Sequence, residues 1–174
     1  DALLGGDYEL LLGRRTWEIF ATYWPHNGEI PVGETFNRVA KHVVTSRPLR
    51  YEWANSHVVS GDPAQGIAAL KASAGPDLLI QGSGRLYDAL LPAGLVDRLA
   101  LITYPVVLGA GKRLFSGDPA EASAWKMVEH HRGNNGVTFS VFEPDGPVRT
   151  GSFEFKPPSV ETLDLRERMR AGDW

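Results

Sequence analysis

The chain contains no cysteine. That excludes a disulfide framework, a thiolate metal site and a cysteine nucleophile together. Net charge is also small: 18 basic residues against 21 acidic ones leave −3, with the signs interspersed. No general nucleic-acid footprint is expected from such a balance, which still leaves room for a local basic pocket. Long apolar runs are missing as well. The longest stretch without a charged residue, 99–111, has 13 residues, where a bilayer-spanning helix needs about 20. No membrane partner is expected, and the lack of cysteine is compatible with a cytoplasmic protein. What is present is ordinary globular composition, 43% hydrophobic and 22% charged, which argues against disorder. At about 150 residues per domain, 174 residues predict one domain with a real core.

Residues 1–4 read as the last turn of a helix, with Gly5-Gly6 as its stop. Chains rarely open at the end of a helix, so a strand and helix ahead of residue 1 are expected. Residues 8–12 form an apolar run between glycines and predict a buried strand. A helix over 16–23 follows, with Thr16 as N-cap and Pro25 beyond its end. Residues 42–45 predict a second strand and Val58-Val59 a brief third. Asp62-Pro63 opens a helix whose apolar face is Ile67, Leu70 and Ala74. Residues 77–81 predict a strand, and a short helix carries Leu86, Tyr87, Leu90 and Leu91. The stretch 96–107 is the longest β-prone one. Residues 125–131 and 136–142 predict a hairpin turned by Asn134-Asn135-Gly136. One more strand is expected over 152–156, then a charged helical tail over about 159–170 capped by Ser159. Alternating strands and helices imply parallel pairing, and the hairpin implies an antiparallel edge. The fold class is therefore α/β with a mixed, mostly parallel sheet.

Three strand ends share a chemistry. They lead into Gly13-Arg14-Arg15-Thr16, Thr45-Ser46-Arg47 and Gln81-Gly82-Ser83-Gly84-Arg85. Each turn is small or hydroxylated and carries arginine. In open α/β sheets, ligands bind beyond the carboxyl ends of the parallel strands. Backbone N–H groups, hydroxyls, guanidinium groups and helix N-termini gathered there suit phosphate, and several arginines suggest more than one phosphate. Solvated strand-end arginines and ordinary turn glycines are the plainer reading of any single turn. No Rossmann fingerprint, nucleophile elbow or Walker loop is present, and 109–113 reads as a basic loop. The five histidines predict no metal site. His130 and His131 should face opposite ways on a strand. His26, His42 and His57 sit in unrelated turns and strands, with no i,i+4 or carboxylate partner.

Residues 11–18, Leu-Leu-Gly-Arg-Arg-Thr-Trp-Glu, resemble a strand motif of the dihydrofolate reductase superfamily. Thr45-Ser46-Arg47, Gln81 to Tyr87 and the run from Leu101 to Gly109 follow in the same order. Tyr23-Trp24-Pro25 and the Pro105 to Phe115 run are similar to the bacterial branch that resembles the reductase domain of riboflavin biosynthesis. The likeness covers roughly residues 3–142. It implies a three-layer dihydrofolate-reductase-like fold whose sheet binds NADPH at its strand ends. Gly13, Arg14, Arg15 and Thr16 would meet cofactor phosphates, and Thr45, Ser46 and Arg47 would hold the adenosine 2′-phosphate. Gln81, Gly82, Ser83, Gly84 and Arg85 would cradle the pyrophosphate, with Leu86 and Tyr87 beside it. Thr103 matches a pocket threonine of the family, and Trp24 and Tyr104 would wall a substrate pocket. The first strand and loop of such proteins would lie ahead of residue 1.

The implied function is an NADPH-dependent reductase of a small heterocyclic or carbonyl compound, in which the cofactor supplies the hydride and the protein positions it. A non-catalytic NADP-binding module is the alternative, and a binder of another phosphorylated ligand a third reading. No proton donor can be named, because Glu18 reads as a helix-surface residue. A homodimer is expected, since the branch is commonly dimeric and an edge hairpin is normally covered. Cover by the tail helix is the competing expectation.

Overall fold

The structure, a computed structural model, describes residues 6–115, 122–151 and 156–173. The opening helix turn expected at residues 1–4 and most of the strand expected at 152–156 lie outside the described residues.

Strand β1 (Tyr8–Gly13) runs straight into helix α1 (Arg14–Ala21). Its alternation divides the core. Tyr8, Leu10 and Leu12 point to one face, with Trp17, Phe36, Val43 and Trp53. Leu11 points to the other, with Ile67, Leu86, Leu90 and Val96. A strand buried on both faces has no polar alternation, so β1 reads as one apolar run. Helix α2 (Pro31–Arg38) and strand β2 (Lys41–Val44) follow, then strand β3 (Ser56–Val59), helix α3 (Pro63–Ala72) and strand β4 (Asp77–Ile80). These four strands form one sheet in the order β3-β2-β1-β4, and every neighbouring pair is parallel. Asp62 caps α3 as expected, its carboxylate accepting from the Gln65 N–H at 2.8 Å.

The chain then changes character. A single 3₁₀ turn and the one-turn helix α4 (Tyr87–Leu90) lead to strand β5 (Leu99–Thr103). Strands β6 (Ser123–Arg132) and β7 (Thr138–Pro147) make the expected hairpin, and β5 pairs antiparallel with β7. Gly136, at φ +80°, supplies the left-handed position of the hairpin turn. Parallel and antiparallel portions are both present as the sequence implies. Hydrogen bonding divides them into a four-stranded and a three-stranded sheet, ordered β3-β2-β1-β4 and β5-β7-β6. Helix α5 (Val160–Ala171) is capped by Ser159, whose hydroxyl accepts from the Thr162 N–H at 3.3 Å, and it buries no residue.

Three expectations need correction. Helix α1 starts at Arg14 with Gly13 as its N-cap, not at Thr16; the Thr16 hydroxyl serves another loop instead. The β-prone stretch 96–107 yields only the five residues of β5, because Pro105 cannot donate to a ladder. Helix α2 has no counterpart in the sequence reading. Its only apolar i,i+4 pair is Val32 and Phe36, and Gly33 breaks the pattern. Gly33 is required by packing, since a Cβ there would sit 2.0 Å from the Asn27 carbonyl oxygen.

Candidate functional site

The order β3-β2-β1-β4 fixes where the arginine-bearing turns fall. The chain winds outward from β1 through β2 to β3, then returns to place β4 on the other side of β1. The topological switch point therefore lies between the carboxyl ends of β1 and β4, where α/β sheets open a crevice. Gly13 ends β1 beside Val44 of β2, and Leu11 lies beside Ile80, the last residue of β4. All three turns thus leave neighbouring strands at the same edge of the sheet.

Two of the turns touch directly. The Gly13 N–H donates to the Ser83 hydroxyl at 2.9 Å. The Ser83 N–H donates to the Thr16 hydroxyl at 3.2 Å. Gly82 and Ser83 both adopt positive φ, +67° and +54°. For serine that conformation costs free energy and persists only where the surroundings impose it; the two bonds to Gly13 and Thr16 do so. A Cβ at Gly84 would meet nothing within 4 Å, so the backbone here is open to close approach. In the third turn, the Thr45 hydroxyl donates to the Arg47 carbonyl and accepts from the Arg47 N–H, both at 2.9 Å. Thr45 is buried in that role, and Ser46 and Arg47 project into solvent.

The arginines are not equivalent. Arg14 Nη1 donates to Glu18 Oε1 at 2.6 Å, one helical turn away and largely buried. Its charge is offset locally, and Glu18 is held as its partner rather than lying free on the helix surface. Among the described residues no ion pair or side-chain hydrogen bond engages Arg15, Arg47 or Arg85. These three leave uncompensated positive charge at the carboxyl edge. Gln81 is exposed there too, whereas Leu86 is buried in the core cluster of the α3–α4 face. Tyr87 packs against the same cluster, and burial raises its hydroxyl pKa above the usual 10.0.

The residues expected to line a substrate pocket are not drawn into this constellation. Trp24 packs edge-on against Phe20, Tyr23 and Phe36, with centroids at 6.1, 4.9 and 5.2 Å. Its buried indole N–H finds no acceptor among the described residues. Thr103 and Tyr104 lie exposed at the end of β5, in the other sheet. None of the described hydrogen bonds or ring contacts joins these three to the turns.

Sequence spacing also missed one cluster. His42 Nε2 lies 2.6 Å from Glu9 Oε2, and the His42 and His57 rings are 5.9 Å apart. These groups sit on three adjacent strands, so no spacing along the chain could pair them, and the expectation that His42 lacks a carboxylate partner fails. No cluster of three metal-ligating side chains occurs among the described residues. No helix among them is long and apolar enough to cross a membrane.

Comparison with known proteins agrees with this architecture. The profile of the RibD C-terminal domain matches residues 6–139. An uncharacterized protein of Bacillus subtilis, YyaP, is 27% identical over 140 residues, covering 79% of this chain and 74% of that protein. Among solved structures, a putative riboflavin biosynthesis protein from Shewanella superposes with a TM-score of 0.62 at 22% identity, over 82% of this chain and 76% of that one. A pyrimidine reductase-like protein from Corynebacterium diphtheriae gives 0.52 at 14% identity, over 83% and 77%. The RibD protein of Acinetobacter baumannii gives 0.54 at 17% identity, over 79% of this chain and 47% of that one.

Proposed function

Because this chain belongs to the RibD C-terminal domain family, we propose that it is an NADPH-dependent reductase acting on a small heterocyclic or carbonyl compound. One observation carries the reading. Three hydroxyl- and arginine-bearing turns leave adjacent parallel strands at the switch point between β1 and β4.

The residues present suit a dinucleotide diphosphate. Gly84 leaves open space where a Cβ would stand, so pyrophosphate oxygens can approach the backbone of Gly82, Ser83 and Gly84. Arg85 offers a guanidinium beside it, and Gly13, Arg14 and Thr16 form the facing wall. Ser46 and Arg47, whose guanidinium has no partner among the described residues, suit the 2′-phosphate, because guanidinium binds a phosphate dianion through two parallel hydrogen bonds. That charge is the basis for NADPH over NADH. When bound, the cofactor supplies the hydride. The chain's part is to hold the dinucleotide across the β1–β4 crevice and direct its reactive end along the sheet. Glu18 is engaged by Arg14, and we assign it no proton transfer.

The test is equilibrium titration with NADPH and NADH, followed by NADPH oxidation across a panel of heterocyclic and carbonyl acceptors. Arg47→Ala should weaken NADPH by about 1.5–3 kcal/mol, the worth of a charged hydrogen bond, and leave NADH nearly unchanged. Equal loss for both cofactors would remove the 2′-phosphate assignment. Tight NADPH binding without turnover of any acceptor would leave the chain as an NADP-binding module.

A further inference from the structure

Ser83 is held in a conformation that serine seldom adopts. Its φ of +54° lies in the left-handed region, where a non-glycine residue is uncommon. A turn that needed only this backbone shape would be served with less strain by glycine. Instead, every polar atom of Ser83 is engaged. Its N–H donates to the Thr16 hydroxyl at 3.2 Å. Its hydroxyl accepts from the Gly13 N–H at 2.9 Å. Its carbonyl accepts from the Leu86 N–H at 2.8 Å, and Leu86 is buried in the core. One residue therefore ties together the end of β1, the first turn of α1 and the core beneath the β4 turn. The partners in β1 and α1 lie 70 and 67 positions away. Backbone strain that the surroundings over-determine in this way gathers at ligand clamps.

The same contacts leave donors to spare. Each of the two hydroxyl oxygens accepts one N–H, and among the described residues neither hydroxyl hydrogen is donated. Helix α1 has no side-chain cap and no acidic residue in its first turn, so no carboxylate of its own offsets its positive end. At Gly84, the next residue, a Cβ would meet nothing within 4 Å. A fixed seat thus adjoins an open approach.

Resting on the dinucleotide reading above, we propose that Ser83 is a positioning residue, which joins the β1–α1 and β4 turns into one preformed seat for the pyrophosphate. The turn is then ordered on folding rather than on binding, and preorganisation of that kind raises affinity.

Two substitutions separate the shape of the turn from its tie. Ser83→Gly keeps the left-handed φ without strain and removes the hydroxyl; Ser83→Ala removes the hydroxyl and keeps the strain. In calorimetric titrations of the full chain, NADPH should bind about tenfold more weakly to both, the effect of one lost hydrogen bond. Thr16→Val should weaken NADPH about tenfold as well, and Thr16→Ser, which keeps the acceptor, should bind like the parent. Thr16→Val and Ser83→Gly combined should weaken binding far less than the about hundredfold of independent effects, because both break one tie. Without ligand, Thr16→Val should speed hydrogen exchange at amides 82–85 about tenfold or more. Denaturant midpoints will verify that Ser83→Gly folds. A Ser83→Gly protein that binds NADPH like the parent would overturn the proposal. Full additivity of the two variants, or unchanged exchange in the free Thr16→Val protein, would overturn it equally. Failure of the parent chain to bind NADPH would remove the cofactor reading and this one with it, and that result precedes every variant. The altered affinities are read only when the parent binds, so they bear on Ser83 alone.

Discussion

Lys41 is fully buried at the start of β2. Its ammonium donates to the carbonyls of Asn37 at 2.9 Å and Ala54 at 2.8 Å and sits 4.5 Å from the Trp53 ring centroid. Burial lowers its pKa from 10.5 to about 8. The unfolded chain keeps that proton to about pH 10.4, so between these values the unfolded state binds more protons than the folded one. Stability should therefore rise with pH over this window, by at most about 1.4 kcal/mol per unit. Urea midpoints measured at about pH 7.5 and about pH 9.5 check this. Lys41→Met should abolish the rise and also cost about 1–3 kcal/mol at each abandoned carbonyl. At Gly84, valine should leave the fold intact, because its Cβ meets nothing within 4 Å. NADPH affinity should collapse if the backbone there meets pyrophosphate. A Gly84→Val protein that binds NADPH like the parent would reduce this turn to a connector. At this scale the sequence was legible where chemistry is local, as in the turns around Gly13, Thr45 and Gly82. It was illegible where partners come from different strands. Glu9 and His42 lie 33 positions apart.

At the scale of elements, the legible parts were those announced by caps and runs: Asp62-Pro63 for α3, Ser159 for α5, the apolar run for β1. Helix α2 was hidden because its demands are tertiary. Phe36 is buried under Phe20 and Trp24, and Gly33 is there to let Asn27 come close. Neither fact has a periodic signature. Helix α5 bears on the competing idea that the tail covers the hairpin. It buries no residue, and Val160, Leu163, Leu165 and Met169 are all at least 44% exposed. Truncation after Lys156 should therefore change the stability of the remainder by no more than about 0.5 kcal/mol, as read from denaturant midpoints. A larger loss, or aggregation of the truncated chain, would mean that α5 docks.

For the whole molecule, the three-stranded sheet is the exposed part. Ile102, Met127 and Val128 are 55%, 55% and 40% exposed, and Phe115 at the end of the preceding loop is 59% exposed. By register, Met127 and Ile102 lie on opposite faces of this sheet, and a two-fold partner would cover the Met127 face with the same patch on both copies. The expected result is a homodimer by sedimentation at micromolar concentration, and Met127→Glu should shift it toward monomer. A monomer in the parent protein would overturn the assignment. The overall α/β plan was legible because alternating and consecutive strands leave different sequence rhythms. The partition into two sheets was not, because hydrogen bonding between β4 and β5 is a matter of placement, which no local pattern encodes.

That partition also carries a consequence for how the chain reaches its native state. Within the hairpin, Arg132 pairs with Thr138 across a short turn, so little chain entropy opposes its closure. In the parallel sheet, Tyr8 must find Asp77, a loop of about 70 residues. Local pairings form in microseconds, whereas distant ones delay folding. In a pulse-labelling hydrogen-exchange experiment during refolding, amides of β6 and β7 should gain protection first. Those shared by β1 and β4 should follow, and with them the crevice they enclose. The edge that carries the arginine turns would then be the last part of the molecule to acquire its shape.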